Sequence, residues 1–163
     1  YLIDNGIPES DIFVNYTPFG HSDWSKIVGD VVALGADGKK VGVISTINGD
    51  ANIGFYKELA AAGIKADDIP VVAFSVGEEE LSGLDTKNLV GHLAAWNYFQ
   101  SAESDLNTNF IKQWKNTMGD KRVTNDPMEA HVIGFKMYVK AVEKAGTTDV
   151  DAVRKAISRY LAR

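Results

Sequence analysis

The chain has 163 residues, 45% hydrophobic and 24% charged, which is enough to bury a core in one domain or two small ones. Its net charge is -5, with Lys and Arg scattered rather than gathered on one stripe, which argues against nucleic acid as a partner. With no cysteine, disulfides, thiol catalysis and Cys-ligated zinc are excluded, and no apolar run reaches the length of a membrane span, so direct membrane insertion is not expected.

In chain order, Tyr1 to Gly6 reads as the last turn of a helix stopped by Gly6, so the chain is expected to be a fragment. Asp11 to Tyr16 reads as a short strand, Thr17 to Gly20 as a turn, and Ser22 or Asp23 as the cap of a helix from Trp24 to Leu34. Trp24, Ile27, Val28, Val31 and Leu34 form its apolar face. Val41 to Thr46 is a β-rich run, and Asn48-Gly49-Asp50 is a sharp loop with Asp50 as N-cap. Ile53, Tyr56, Leu59 and Ala60 then recur at helical spacing until Gly63. Pro70 to Ser75 is a third strand, followed by Val76-Gly77 and an acidic helical turn over Glu78 to Leu81. Runs as apolar as VGVI and VVAF predict strands covered on both faces, in a parallel sheet flanked by helices.

From Val90 to Phe99 the chain reads as a longer extended run, and beyond it only helices are predicted. One spans Asp105 to Met118. A second begins at Asp126-Pro127, as cap and N1 proline, and carries Val132, Phe135, Val139 and Val142 to Gly146. The last opens at Thr148, with Asp151 three residues on, and bears Val150, Val153, Ile157 and Leu161. A helical half without strands needs a sheet to pack on, either that of the first half or one outside this chain.

Loops at the carboxyl ends of parallel strands are where open α/β sheets hold small polar ligands, which singles out Asn48, Gly49 and Asp50 and the stretch from Ser75 to Glu79. Glu79 turned inward would accept hydrogen bonds from a ligand's N–H groups, whereas Glu80 reads as a solvated first-turn residue. Ala73-Phe74-Ser75-Val76-Gly77 also approximates a nucleophile elbow, with His131 and Asp85, Asp105 or Asp126 downstream. The glutamates that follow would oppose an oxyanion there. His21, His92 and His131 show no metal-site spacing, and no P-loop or dinucleotide fingerprint occurs, so neither metal nor cofactor is expected.

The segments YTPFGHSDW (16 to 24), STINGDAN (45 to 52), FYKELAAAGIKADDIPVVAFSVGEEEL (55 to 81), LVGHLAAWNYF (89 to 99) and TNDPMEAHVIGFKMYVKAVEKAGTTDVDAVRKA (124 to 156) resemble the urea-type substrate-binding proteins of ABC transporters. These belong to the branched-chain amino acid and amide group of type I periplasmic binding proteins, and residues 157 to 163 fit less well. The resemblance implies a two-lobed α/β clamshell: residues 1–93 as most of the second lobe, 94–100 as a crossing strand, and 101–163 as helices of the first lobe. It further implies an extracytoplasmic, non-enzymatic protein that binds urea or a short-chain amide and delivers it to a membrane permease. Ser75, Val76, Gly77, Glu79, Asn48, Gly49 and Asp50 would then contact ligand, with Trp96 and Tyr98 limiting the cavity. A cytoplasmic amide-sensing regulator of the same fold and a serine hydrolase using Ser75 are the alternatives.

Overall fold

A computed structural model describes residues 1–161 of the chain. The side chains of Asp37, Arg159, Tyr160 and Leu161, and Ala162 and Arg163 entirely, lie outside the described residues. By their internal contacts the residues fall into two units: Tyr1–Val76 with Glu80–Ala95, and Gly77–Glu79 with Trp96 onward.

The first unit is built on a parallel sheet in the order β1 (Val43–Ser45), β2 (Val71–Ala73), β3 (Leu93–Ala94), as the apolar runs predict. Helices α1 (Ser25–Leu34) and α2 (Ala51–Ala61) pack against it. Trp24 at the N-cap of α1, Val28 within it, and Phe55, Tyr56 and Leu59 of α2 share one core with Val71 and Ala73 of β2. The rings of Trp24 and Phe55 meet edge to face at 5.3 Å, a geometry that aromatic pairs favour. The close approach needs Gly54, because a Cβ there would stand 3.0 Å from the Trp24 indole.

Two strand expectations are corrected. Residues 12–18 form no strand, and Phe13, Val14 and Tyr16 are exposed. Ile12 enters this segment in extended backbone, but no neighbouring strand pairs with it, and an isolated extended run has nothing to hold it. Nor is the sheet covered on both faces. Ile44, Val72 and Leu93 are register partners and share a face, and Ile44 and Leu93 on it are 52% and 59% exposed. Core packing in this unit engages the opposite face, which carries Val43, Ser45, Val71 and Ala73.

The second unit holds helices α4 (Asp105–Met118), α5 (Asp126–Ala145) and α6 (Val150–Leu161); a short α3 (Glu78–Leu81) begins in it. α5 and α6 pack through Ala141, Val153 and Ala156, with Val142 and Ile157 beside them. Phe135 and Val150, expected on apolar faces, are 67% and 68% exposed. The caps also differ from expectation. Asn125, one residue earlier than expected, caps α5 by accepting the Met128 N–H at 3.1 Å, and an Asp126 oxygen accepts the Asn97 N–H at 2.9 Å. Asp149 rather than Thr148 caps α6, accepting the Ala152 N–H at 3.0 Å.

Candidate functional site

Two loops leave the carboxyl ends of β1 and β2. The first, residues 46–50, turns at Gly49, whose φ of +65° is the left-handed conformation that glycine adopts without strain, and leads into α2. Asn48, Gly49 and Asp50 are exposed. Asp50 occupies the N-cap position, but its side chain accepts no capping hydrogen bond, contrary to expectation. Its backbone is already helical, with φ −60° and ψ −19°, whereas a capping side chain needs extended backbone to fold back over the first turn. The Gly49 and Asp50 carbonyls instead accept the Asn52 and Ile53 N–H groups, both at 3.0 Å, which tightens the start of α2.

The second loop begins at Ser75. It is tied to the first by Asn52, which is completely buried. The Asn52 carboxamide nitrogen donates to the Ile47 carbonyl at 2.8 Å and to the Gly49 and Ser75 carbonyls at 3.2 Å each. Three carbonyls converging on one end of the side chain fix its orientation, since the oxygen in that place would repel all three. Asn52 was missed in the sequence although the signal was there. With Phe55, Tyr56 and Leu59 it forms the i, i+3, i+4, i+7 stripe that α2 buries, and a polar residue on such a stripe calls for internal partners. Ser75 is half-buried, and the Val76 side chain belongs to the core.

The remaining candidates lie in the second unit. Gly77 is buried. Glu79 is half-buried; one of its oxygens accepts from the Asn125 amide at 2.9 Å and the other faces the Arg122 guanidinium at 3.6 Å. Arg122 is 51% and Glu79 37% exposed, so solvent screens that ion pair and it adds little to stability. Glu80 is buried, which corrects its reading as a solvated residue. Trp96 is half-buried. The Tyr98 hydroxyl donates to the Asn107 side-chain oxygen and shares a second bond with the Thr124 hydroxyl, both 2.7 Å. Burial raises the Tyr98 phenol above its ordinary value, and the charges of Glu78 and Glu129 add to this against its two hydrogen bonds.

Each histidine is engaged away from Ser75. Nε2 of His21 bonds the Asp23 carbonyl, Nδ1 of His131 bonds the Pro127 carbonyl in its own helix, and Nδ1 of His92 accepts the Val71 N–H at 3.0 Å. No group of three or more His, Asp or Glu side chains among the described residues could hold a metal ion.

Parallel strands whose carboxyl-end loops are drawn together at the start of a helix define an α/β architecture of the small-ligand-binding kind. Residues 1–162 match the family described as the periplasmic binding protein domain, and the chain belongs to that family. Among solved structures it is similar to the amino acid ABC transporter substrate-binding protein from Pseudomonas fluorescens Pf-5, with a TM-score of 0.66 and 19% identity. The similarity covers 87% of this chain and 36% of that one, so the chain spans well under half the length of that protein. At that identity the likeness is one of fold. No curated protein matches the chain.

Proposed function

We propose that this chain is part of the solute-binding component of an ABC uptake system, one that binds urea or a short-chain amide and hands it to a membrane permease. It works in the periplasm or otherwise outside the cytoplasm and catalyses no reaction of its own. Membership of the periplasmic binding protein family supports the binding role, and the resemblance of segments such as STINGDAN and VVAFSVGEEEL supports the choice of ligand. The observation that carries the reading is the pairing of the loops after β1 and β2 through Asn52, which supports taking both as segments that meet the ligand.

A neutral planar amide offers N–H donors and one carbonyl acceptor, so its site needs a few acceptors and donors placed around a dry cavity. In the first unit the Asp50 carboxylate, which no capping bond occupies, is the proposed acceptor. The backbone around Asn48 and Gly49, the Ser75 hydroxyl and the Val76 backbone supply the other contacts. In the second unit Gly77, Glu79, Trp96 and Tyr98 remain the proposed contacts, with the Glu79 carboxylate oriented by Asn125 and Arg122.

Ligand that binds only the folded state stabilises it by about 2.7 kcal/mol at a hundred times Kd. In the full-length protein, millimolar acetamide or urea should therefore raise the melting temperature by several degrees, while leucine should not. A rise with leucine alone would replace the amide reading with an amino acid one.

A further inference from the structure

We infer that Asn52 is a positioning residue for solute binding, holding the loops after β1 and β2 in the one relative placement that the ligand meets. This inference rests on the solute-binding reading above. A short loop after a strand is ordinarily free to move, since few of its backbone groups have internal partners. Here one carboxamide holds carbonyls from both loops: Ile47 and Gly49 on one side, Ser75 on the other.

The placement of Asn52 makes this clamp stiff. It sits in the first turn of α2, with its own N–H bonded to Gly49 at 3.0 Å, and it is fully buried. The next residues on its stripe, Phe55 and Tyr56, lie in the core beside Trp24. The side chain is thus held by the helix and by its three carbonyl partners, and through it the loops are tied to the start of α2. Water cannot replace a buried donor without entering the core, so loss of the carboxamide leaves three carbonyls without this partner. The Asn52 Oδ1 has no hydrogen-bond partner, so the residue is retained at the cost of one buried acceptor, which points to the donor end as its use.

Pre-ordered loops spare the ligand the entropy of ordering them. Asn52 thus acts on affinity without touching the solute. Leu is the near-isosteric replacement: it keeps the branched shape and removes the amide donors without setting an oxygen against the three carbonyls. Asn52→Ala is the second variant, should Asn52→Leu fold poorly.

The test measures, in the full-length protein, amide hydrogen exchange and the calorimetric Kd for urea and for acetamide. Either variant should speed exchange about tenfold in residues 46–50 and 75–76 while leaving the second half of α2 unchanged. Kd should rise about tenfold or more, the change expected from losing one or two buried hydrogen bonds. A purely structural role would instead spread faster exchange evenly through α1, α2 and the sheet, with Kd unchanged in the folded protein, and would overturn the inference. Wild-type protein silent to both solutes would overturn the solute-binding reading itself, whereas wild-type binding that both variants keep intact would overturn only the role of Asn52.

Discussion

The His92 imidazole shows how much one residue's surroundings decide. It lies just before β3, its ring stands 6.0 Å from that of Tyr56, and its Nδ1 accepts the backbone N–H of Val71 at the start of β2. Only a ring without a proton on that nitrogen can accept this bond, and burial also lowers the His92 pKa from its ordinary 6.5. As pH falls below that value, the unfolded chain takes up a proton that the folded one resists. The stability His92 contributes is therefore present above pH 6.5 and is lost on acidification toward the lower folded value. Melting temperature should drop between about pH 7.5 and pH 5.5, and drop less in His92→Gln. Equal drops in both proteins would show that His92 is not the sensing group. The neighbouring Tyr56 phenol, pushed up to about 12 by burial, stays neutral throughout this range.

At the scale of elements, the segment after β3 repays the closest reading. The sequence reads as an extended run from Val90 to Phe99, yet only Leu93 and Ala94 pair with β2. The Ala95 N–H still bonds the Ala73 carbonyl at 2.8 Å, and beyond it side chains take up backbone groups of residues 97–102. Asp126 takes the Asn97 N–H, Glu78 takes the Ser101 N–H, and the Asn107 amide donates to the Gln100 and Ala102 carbonyls. Gln100 in turn accepts the Thr124 N–H at 2.8 Å, and the Tyr98 hydroxyl bridges Asn107 and Thr124. This is a sequence-distant polar network, and propensity or periodicity carries no trace of it. Tyr98→Phe removes the bridge and leaves two half-satisfied buried partners, which should cost about 1–3 kcal/mol. A denaturant midpoint unchanged from wild type would show that the hydroxyl does not hold the segment.

Elements governed by local rules were legible in the sequence. α4 has the predicted bounds, α5 ends at Gly146 in the left-handed conformation, and the β1 and β2 runs pair in parallel. What failed depended on partners distant in sequence. Residues 11–16 have strand composition but no strand to pair with among the described residues, and Ile44 and Leu93 share an apolar sheet face yet stay more than half exposed. The caps at Asp50 and Asp126 failed in different ways: Asp50 stands at the N-cap but its backbone is already helical, whereas the N-cap of α5 falls one residue earlier than expected, at Asn125, and Asp126 accepts the Asn97 N–H instead. The candidate site was legible as loops. Asn52, which holds them, was visible only as a polar residue on a buried stripe.

At the scale of the molecule, the two units differ in how they are built. The first has an aromatic and aliphatic core around one face of a sheet; the second joins α5 and α6 through Ala141, Val153 and Ala156 and fixes its remaining segments by side-chain hydrogen bonds. No helix among the described residues is long and apolar enough to cross a membrane. Family membership and the paired loops after β1 and β2 together make solute binding the central claim. Its most direct test is a calorimetric titration of the full-length protein with urea, acetamide and leucine in turn. Saturable heat with urea or acetamide and none with leucine is the predicted result. Silence toward both amides, with saturable heat from leucine, would contradict it.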